Sequence, residues 1–361
     1  MKKLDSIQVL RAVGALLVIF CHGAGEIMAN HAAGATGFWQ FVNAKGLFGV
    51  DIFFVVSGFV MMHIIAGKPT GGATAARFIS ERVLRIVPLY WMTTLLSVGV
   101  GLAMPALKHK NAYSGVYVLR SLLFVPSTNP STGAPEPVLG LGWTLNYEMF
   151  FYVVIFLLLL IGVRRVFAAV LAIFVALIAL GLAFAPSDIV LRSWTHSIIL
   201  EFAFGALLAQ ARQAGWRIGG KTQYALLAAG VAGWLAAAPA NADFVLRGLV
   251  WGVPAAAIFA AATLGRSSLA FPKLLTLTGD ASYSLYLTHL FVMRICSVVV
   301  WHLPVSSMLQ MVIFVLVFPP AAIFVSILSY KKFELPTMRI GRELLASRLR
   351  IGALPKSVPD A

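Results

Sequence analysis

Charged residues are scarce in this chain, 11% against about 25% in a soluble domain, while 60% of its residues are hydrophobic; a soluble globule is excluded. Long polar stretches are also lacking. The longest gaps between apolar runs are Met104 to Gly142 and Lys331 to Ala361, which leaves no room for a sizeable extramembrane domain. Cysteine is nearly absent: Cys21 and Cys296 lie in apolar runs, with neither metal-ligand spacing nor a disulfide framework, so no metal site is expected. No fixed-period repeat is visible. A cleavable leader is not expected either, because Arg11 interrupts the first apolar stretch after only Ile7, Val9 and Leu10; the segment reads as a retained first helix.

What is present is about ten apolar runs of roughly 17 to 23 residues, the length an α-helix needs to cross about 30 Å of hydrocarbon. The expectation is an all-α polytopic integral membrane protein of about ten transmembrane helices. The spans are 7 to 29, 46 to 66, 83 to 103, 143 to 163, 166 to 185, 194 to 213, 223 to 239, 244 to 264, 283 to 303 and 308 to 330. Residues 1 to 336 form the membrane domain and 337 to 361 a basic tail. The net charge of +15 sorts by side: Lys2 and Lys3, eleven basic residues in alternate loops and seven in the tail fall on one side, and six fall on the other. That bias places both termini in the cytoplasm and calls for no nucleic acid. The stretch Val116 to Pro126 is too short to cross and reads as a partial helix in an outer loop. Between Asn129 and Gly142 that loop holds six prolines and glycines, which suits an ordered cap over a site.

Ionisable groups inside a bilayer cost about 2.5 to 3.5 kcal/mol each at the centre, so each needs a partner, an aqueous cavity or a task. Arg11 and His22 are eleven positions apart, close to three helical turns, and share one face. A neutral imidazole there is a natural proton acceptor; the alternative is a helix–helix hydrogen bond for His22 and snorkelling for Arg11. Asp51, in GVDIFFVVSGF, and Glu148, in GWTLNYEMFFY, fall near the depth of His22 and are candidates to orient it, as the acid of a triad does. Asp51 also reads as a cap, and Ser57 with Gly58 as close helix packing. Arg82 and Arg85, in ERVLRIVPLYW, are one turn apart at the inner membrane boundary. They can fork onto phosphate, or simply enforce topology. Pro88 comes shortly after and should kink that helix. Ser282, Tyr286 and His289, in GDASYSLYLTH, share a face that begins at the cytoplasmic side and are candidates for the donor side of a site. Arg294 and Glu201 are also buried by this topology, and the sequence assigns neither a place in the mechanism.

Those five runs, in this order and over Ser6 to Pro336, resemble the acyltransferase 3 family of membrane acyltransferases, and the wording of Trp143 to Tyr152 is nearest its exopolysaccharide acetyltransferase branch. The resemblance implies a bacterial inner-membrane enzyme moving an acyl group, usually acetyl, from cytoplasmic acetyl-CoA to a hydroxyl of a glycan or lipid-linked saccharide. Acyl-CoA would be a co-substrate, with no permanently bound cofactor. It further implies a catalytic role for His22 and donor handling by Arg11, Arg82 and Arg85. The partners expected are acyl-CoA, the glycan acceptor, membrane lipid and the polysaccharide synthesis machinery. A transporter or flippase for an anionic or acylated solute is the rival reading, since buried charge along one pathway is also how carriers look.

Overall fold

The computed structural model describes residues 5–31, 37–103, 113–237, 247–265 and 271–351. Among these residues no strand occurs beyond one isolated bridge between Ile218 and Gly265. The helices are α1 (Asp5–Asn30), α2 (Gly37–Gly46), α3 (Phe48–Ile65), α4 (Gly72–Ala103), α5 (Gly115–Leu122), α6 (Trp143–Leu160), α7 (Val166–Phe184) and α8 (Ile189–Trp194). They continue with α9 (Leu200–Gln213), α10 (Gly220–Ala236), α11 (Arg247–Val250), α12 (Gly252–Leu264), α13 (Lys273–Asp280), α14 (Ser282–Trp301), α15 (Ser307–Ser329) and α16 (Leu335–Ile351).

Eight stretches of the described chain are long and apolar enough to cross a membrane. The two remaining expected spans are helical but short: α9 has 14 residues and α10 has 17. At 1.5 Å per residue α9 covers about 21 Å, less than the hydrocarbon core. It packs closely against α3, where Gly205 and Gly58 let the backbones meet. A Cβ added at Gly205 would fall 2.0 Å from the Val55 carbonyl oxygen, and one at Gly58 equally close to that of Phe202. Three expected spans are longer than anticipated. The second runs through α2 and α3, Gly37–Ile65, the third is the whole of α4, Gly72–Ala103, and the last continues from α15 into α16, Ser307–Leu345. The division expected at 336 therefore falls inside a helix, and residues 352–361 of the tail lie outside the described residues.

The join of α15 to α16 is a π-helical turn, Tyr330–Glu334, of the kind that often marks a functional site. Pro88 does not end α4, which runs unbroken past it. The stretch expected as a partial helix is α5, capped by Ser114, whose side chain accepts from the Tyr117 amide. It docks on α4, with the Tyr90 hydroxyl donating to the Ser121 carbonyl at 3.0 Å and the Trp91 indole to that of Leu122 at 2.8 Å.

Candidate functional site

Helices α1 and α14 run parallel, and their seam carries the site. At one end the Arg11 Nε donates to Ser282 Oγ at 3.1 Å; further along, the His22 and His289 rings meet edge to face at 5.1 Å. The shared face expected from the eleven-residue spacing thus meets α14 at both residues.

Beside the Arg11 end is a cavity of about 110 Å³. The structure brings Arg11, Arg82, Arg85, Glu148, Ser282 and Tyr286 to its wall, from four different helices. Glu148 accepts from Ser57 Oγ at 3.2 Å and from the Tyr152 hydroxyl, so the acid of α6 is held among the arginines rather than at His22. Arg85 pairs at 3.4 Å with Glu334, which is buried and also accepts from Ser284 Oγ at 2.8 Å. The π turn aims that carboxylate inward. Arg82 is buried too, and its Nε has no hydrogen-bond partner among the described residues. It lies on the wall of a second depression of about 370 Å³, formed with Lys68, Arg77 and Glu81 at the connection between α3 and α4. A chain of cations thus leads from that depression into the cavity.

The two imidazoles stand just beyond the cavity wall, behind Tyr286, whose ring centre is 6.3 Å from that of His289. The Tyr286 hydroxyl is fixed 2.9 Å from the Leu141 carbonyl and 2.8 Å from Thr144 Oγ1. Each histidine places Nδ1 2.9 Å from the carbonyl four residues earlier, His22 on Val18 and His289 on Leu285. A carbonyl only accepts, so Nδ1 carries a proton in both rings, and in the neutral ring Nε2 carries the lone pair. The His289 ring is fully buried, and its Nε2 has no partner among the described residues.

The expectation that Asp51 or Glu148 orients His22 is corrected here: the backbone of α1 does so. Asp51, fully buried, gives both carboxylate oxygens to Arg247, and Glu201 lies 3.6 Å from the same guanidinium. Arg247, which the sequence places with outer-loop cations, is therefore a buried partner of α3 and α9. Its guanidinium also lies 4.8 Å over the Trp251 ring. Arg247 and Glu334 are the residues sequence reasoning missed, and Glu201, expected to be buried, had no partner assigned. Their only local signal is charge in or beside an apolar run, which says that a partner exists without saying which. Among the described residues, no group of three or more His, Cys, Asp or Glu could hold a metal ion.

A family model described as an acyltransferase domain matches residues 4–331. The chain is 33% identical over 318 residues to the exopolysaccharide production protein ExoZ of Rhizobium meliloti (strain 1021), covering 87% of this chain and 96% of that one. It is 26% identical to nodulation protein 10 of Rhizobium leguminosarum bv. viciae, over 96% of each. No solved structure matches. With the family model spanning nearly the whole chain and a relative above 30% identity, this multi-pass helical protein belongs to the acyltransferase 3 family and is an acyltransferase.

Proposed function

We propose that the protein is an O-acyltransferase of the bacterial inner membrane, with about ten crossings and both termini cytoplasmic, that moves acetyl from cytoplasmic acetyl-CoA to a hydroxyl of an exopolysaccharide or its lipid-linked precursor. The observation that carries this reading is the α1–α14 seam, which sets a cationic cavity at Arg11 and Ser282 and a histidine pair at His22 and His289 along one line. The 110 Å³ cavity has the volume of an acyl thioester end, not of a whole CoA; the phosphates belong in the depression at Lys68, Arg77 and Arg82. The name of ExoZ supports a glycan acceptor.

A thioester already activates the acyl carbon, so the chain has to supply a base, proximity and charge stabilisation. His22, with Nδ1–H held by Val18, presents Nε2 as the base. It takes the proton of the acceptor hydroxyl as that oxygen attacks the thioester carbonyl. The C–S bond breaks, the ester forms, and the departing thiolate receives the proton. His289 positions the ring. His22→Ala should lower acetylation by about a hundredfold or more, the usual worth of a positioned base, while the protein stays inserted and monodisperse. The readouts are acetyl signals in NMR spectra of glycans from complemented deletion cells and acceptor-dependent CoA release in proteoliposomes. Normal acetylation by the variant would eliminate His22 as the base. Solute counterflow without acetyl-CoA would favour a carrier.

A further inference from the structure

A larger cavity, about 640 Å³, lies on the other side of the first turns of α6. Thr144, Leu145 and Glu148 face the arginine cavity, whereas Trp143, Asn146 and Tyr147 face this one, so one helix end is the wall between them. The volume is that of a small-ligand site. Its roof is the Pro- and Gly-rich loop, which is pinned into shape: Asn129 donates to Glu136 Oε1 at 2.9 Å, Thr132 to the same oxygen at 3.1 Å, and the Tyr117 hydroxyl to the Glu136 carbonyl at 2.9 Å. Burial, and then the neighbouring Glu136, raise the pKa of the Tyr117 hydroxyl above its ordinary value, so it remains a donor.

Two polar atoms on residues of this lining are buried without partners among the described residues: Asn146 Oδ1, on a side chain 5% exposed, and Trp194 Nε1. Each such atom costs about 1 to 3 kcal/mol unless something meets it. One is an acceptor and the other a donor, and a hydroxyl satisfies either. Trp143, Tyr147 and Trp194 supply aromatic faces beside them. Charge separates this cavity from the first. Arg247 is already held by Asp51, and Arg192 is matched among the lining residues by Glu136, whereas in the first cavity, with Arg85 likewise held by Glu334, Arg11 and Arg82 still stand against Glu148 alone. A multiply anionic donor fits the first; a hydroxyl-rich, weakly charged molecule fits the second.

We infer that the cavity between the pinned loop and α6 binds the saccharide acceptor, with Asn146 Oδ1 accepting from one sugar hydroxyl and the Trp194 indole donating to another. This rests on the acyl-transfer reading above, but binding can be measured apart from transfer. Full-length protein in nanodiscs would be titrated calorimetrically with de-O-acetylated oligosaccharides cut from the exopolysaccharide of a strain deleted for this gene. Asn146→Leu and Trp194→Phe should each weaken binding tenfold or more, the second by removing only the N–H, while Lys221→Gln, at an exposed residue of α10 outside both cavities, leaves saccharide affinity unchanged. No binding by the wild type, wild-type affinity in both variants, or equal weakening by Lys221→Gln overturns the site. Acetyl transfer to the same oligosaccharides separates the two claims. Binding that depends on Asn146 and Trp194 without transfer from acetyl-CoA sinks the reaction and keeps the site. Transfer with an unchanged acceptor KM in both variants sinks the site and keeps the reaction.

Discussion

Asp51 and Arg247 stand 196 positions apart, and both are almost wholly buried. Removing one member of such a pair leaves an uncompensated charge in a low-dielectric interior, which costs about 3 to 5 kcal/mol, whereas replacing both by apolar groups is often neutral. Asp51→Ala should therefore lower the detergent melting temperature sharply, and adding Arg247→Met together with Glu201→Gln, since Glu201 lies 3.6 Å from the same guanidinium, should recover much of it. An Asp51→Ala protein with wild-type stability and no turnover would return Asp51 to the chemistry. The residues legible in the sequence were those whose signal is local: Arg11 and His22 by their spacing, Arg82 and Arg85 by falling one turn apart at a boundary. The partner of Asp51 was not legible, because nothing within a few turns of it in the chain encodes a contact made by a distant helix. Equal depth in the bilayer suggested Asp51, Glu148 and His22 as one pocket. Depth fixes only one of three coordinates, and rotation about each helix axis sends the two acids to different neighbours.

Among the elements, the π turn at Tyr330–Glu334 does what an α-helix there would not. A π turn accommodates one extra residue, and each residue added or removed rotates the remainder of the helix by about 100°. The rotation in place aims the Glu334 carboxylate between Arg85 and Ser284. Deleting exposed Lys332 should relax the segment to α-helix, swing that carboxylate away and raise the donor KM about tenfold, about 1.4 kcal/mol of binding. Initial rates over a range of acetyl-CoA concentrations would measure it. Glu334→Gln, which keeps the helix, separates loss of the charge from movement of α16, whose Gly341 sits against Leu84 of α4. An unchanged donor KM in both would free Arg85 from any dependence on this turn. Hydropathy could not foresee the turn, since it reports where a helix is apolar and not how tightly it is wound. It also equated a crossing with a length. The short α9 satisfies neither that length nor an independent helix, and is held by the glycine contacts with α3.

At the scale of the whole molecule, the fold was legible as an all-helical bundle from composition alone, while its sidedness rests on the distribution of Lys and Arg. In the proposed orientation the Pro- and Gly-rich loop lies opposite the termini, on the face proposed for the acceptor, and the arginine depression at Lys68 and Arg77 on the face proposed for the CoA donor. The two native cysteines are buried, so a new thiol on the loop would report alone. Ser131 is exposed at the loop's tip, its amide donating to Asn129 Oδ1, and Ser131→Cys leaves the side-chain bonds of the roof intact. In intact spheroplasts this variant should react with a membrane-impermeant maleimide, and a Thr74→Cys variant in the depression by α4 should react only after lysis. The opposite pattern would reverse every loop. The arginines would then face a compartment without acetyl-CoA, and the seam from Arg11 to His22 would lead from the acceptor side to the donor side, which a thioester-driven transfer cannot use.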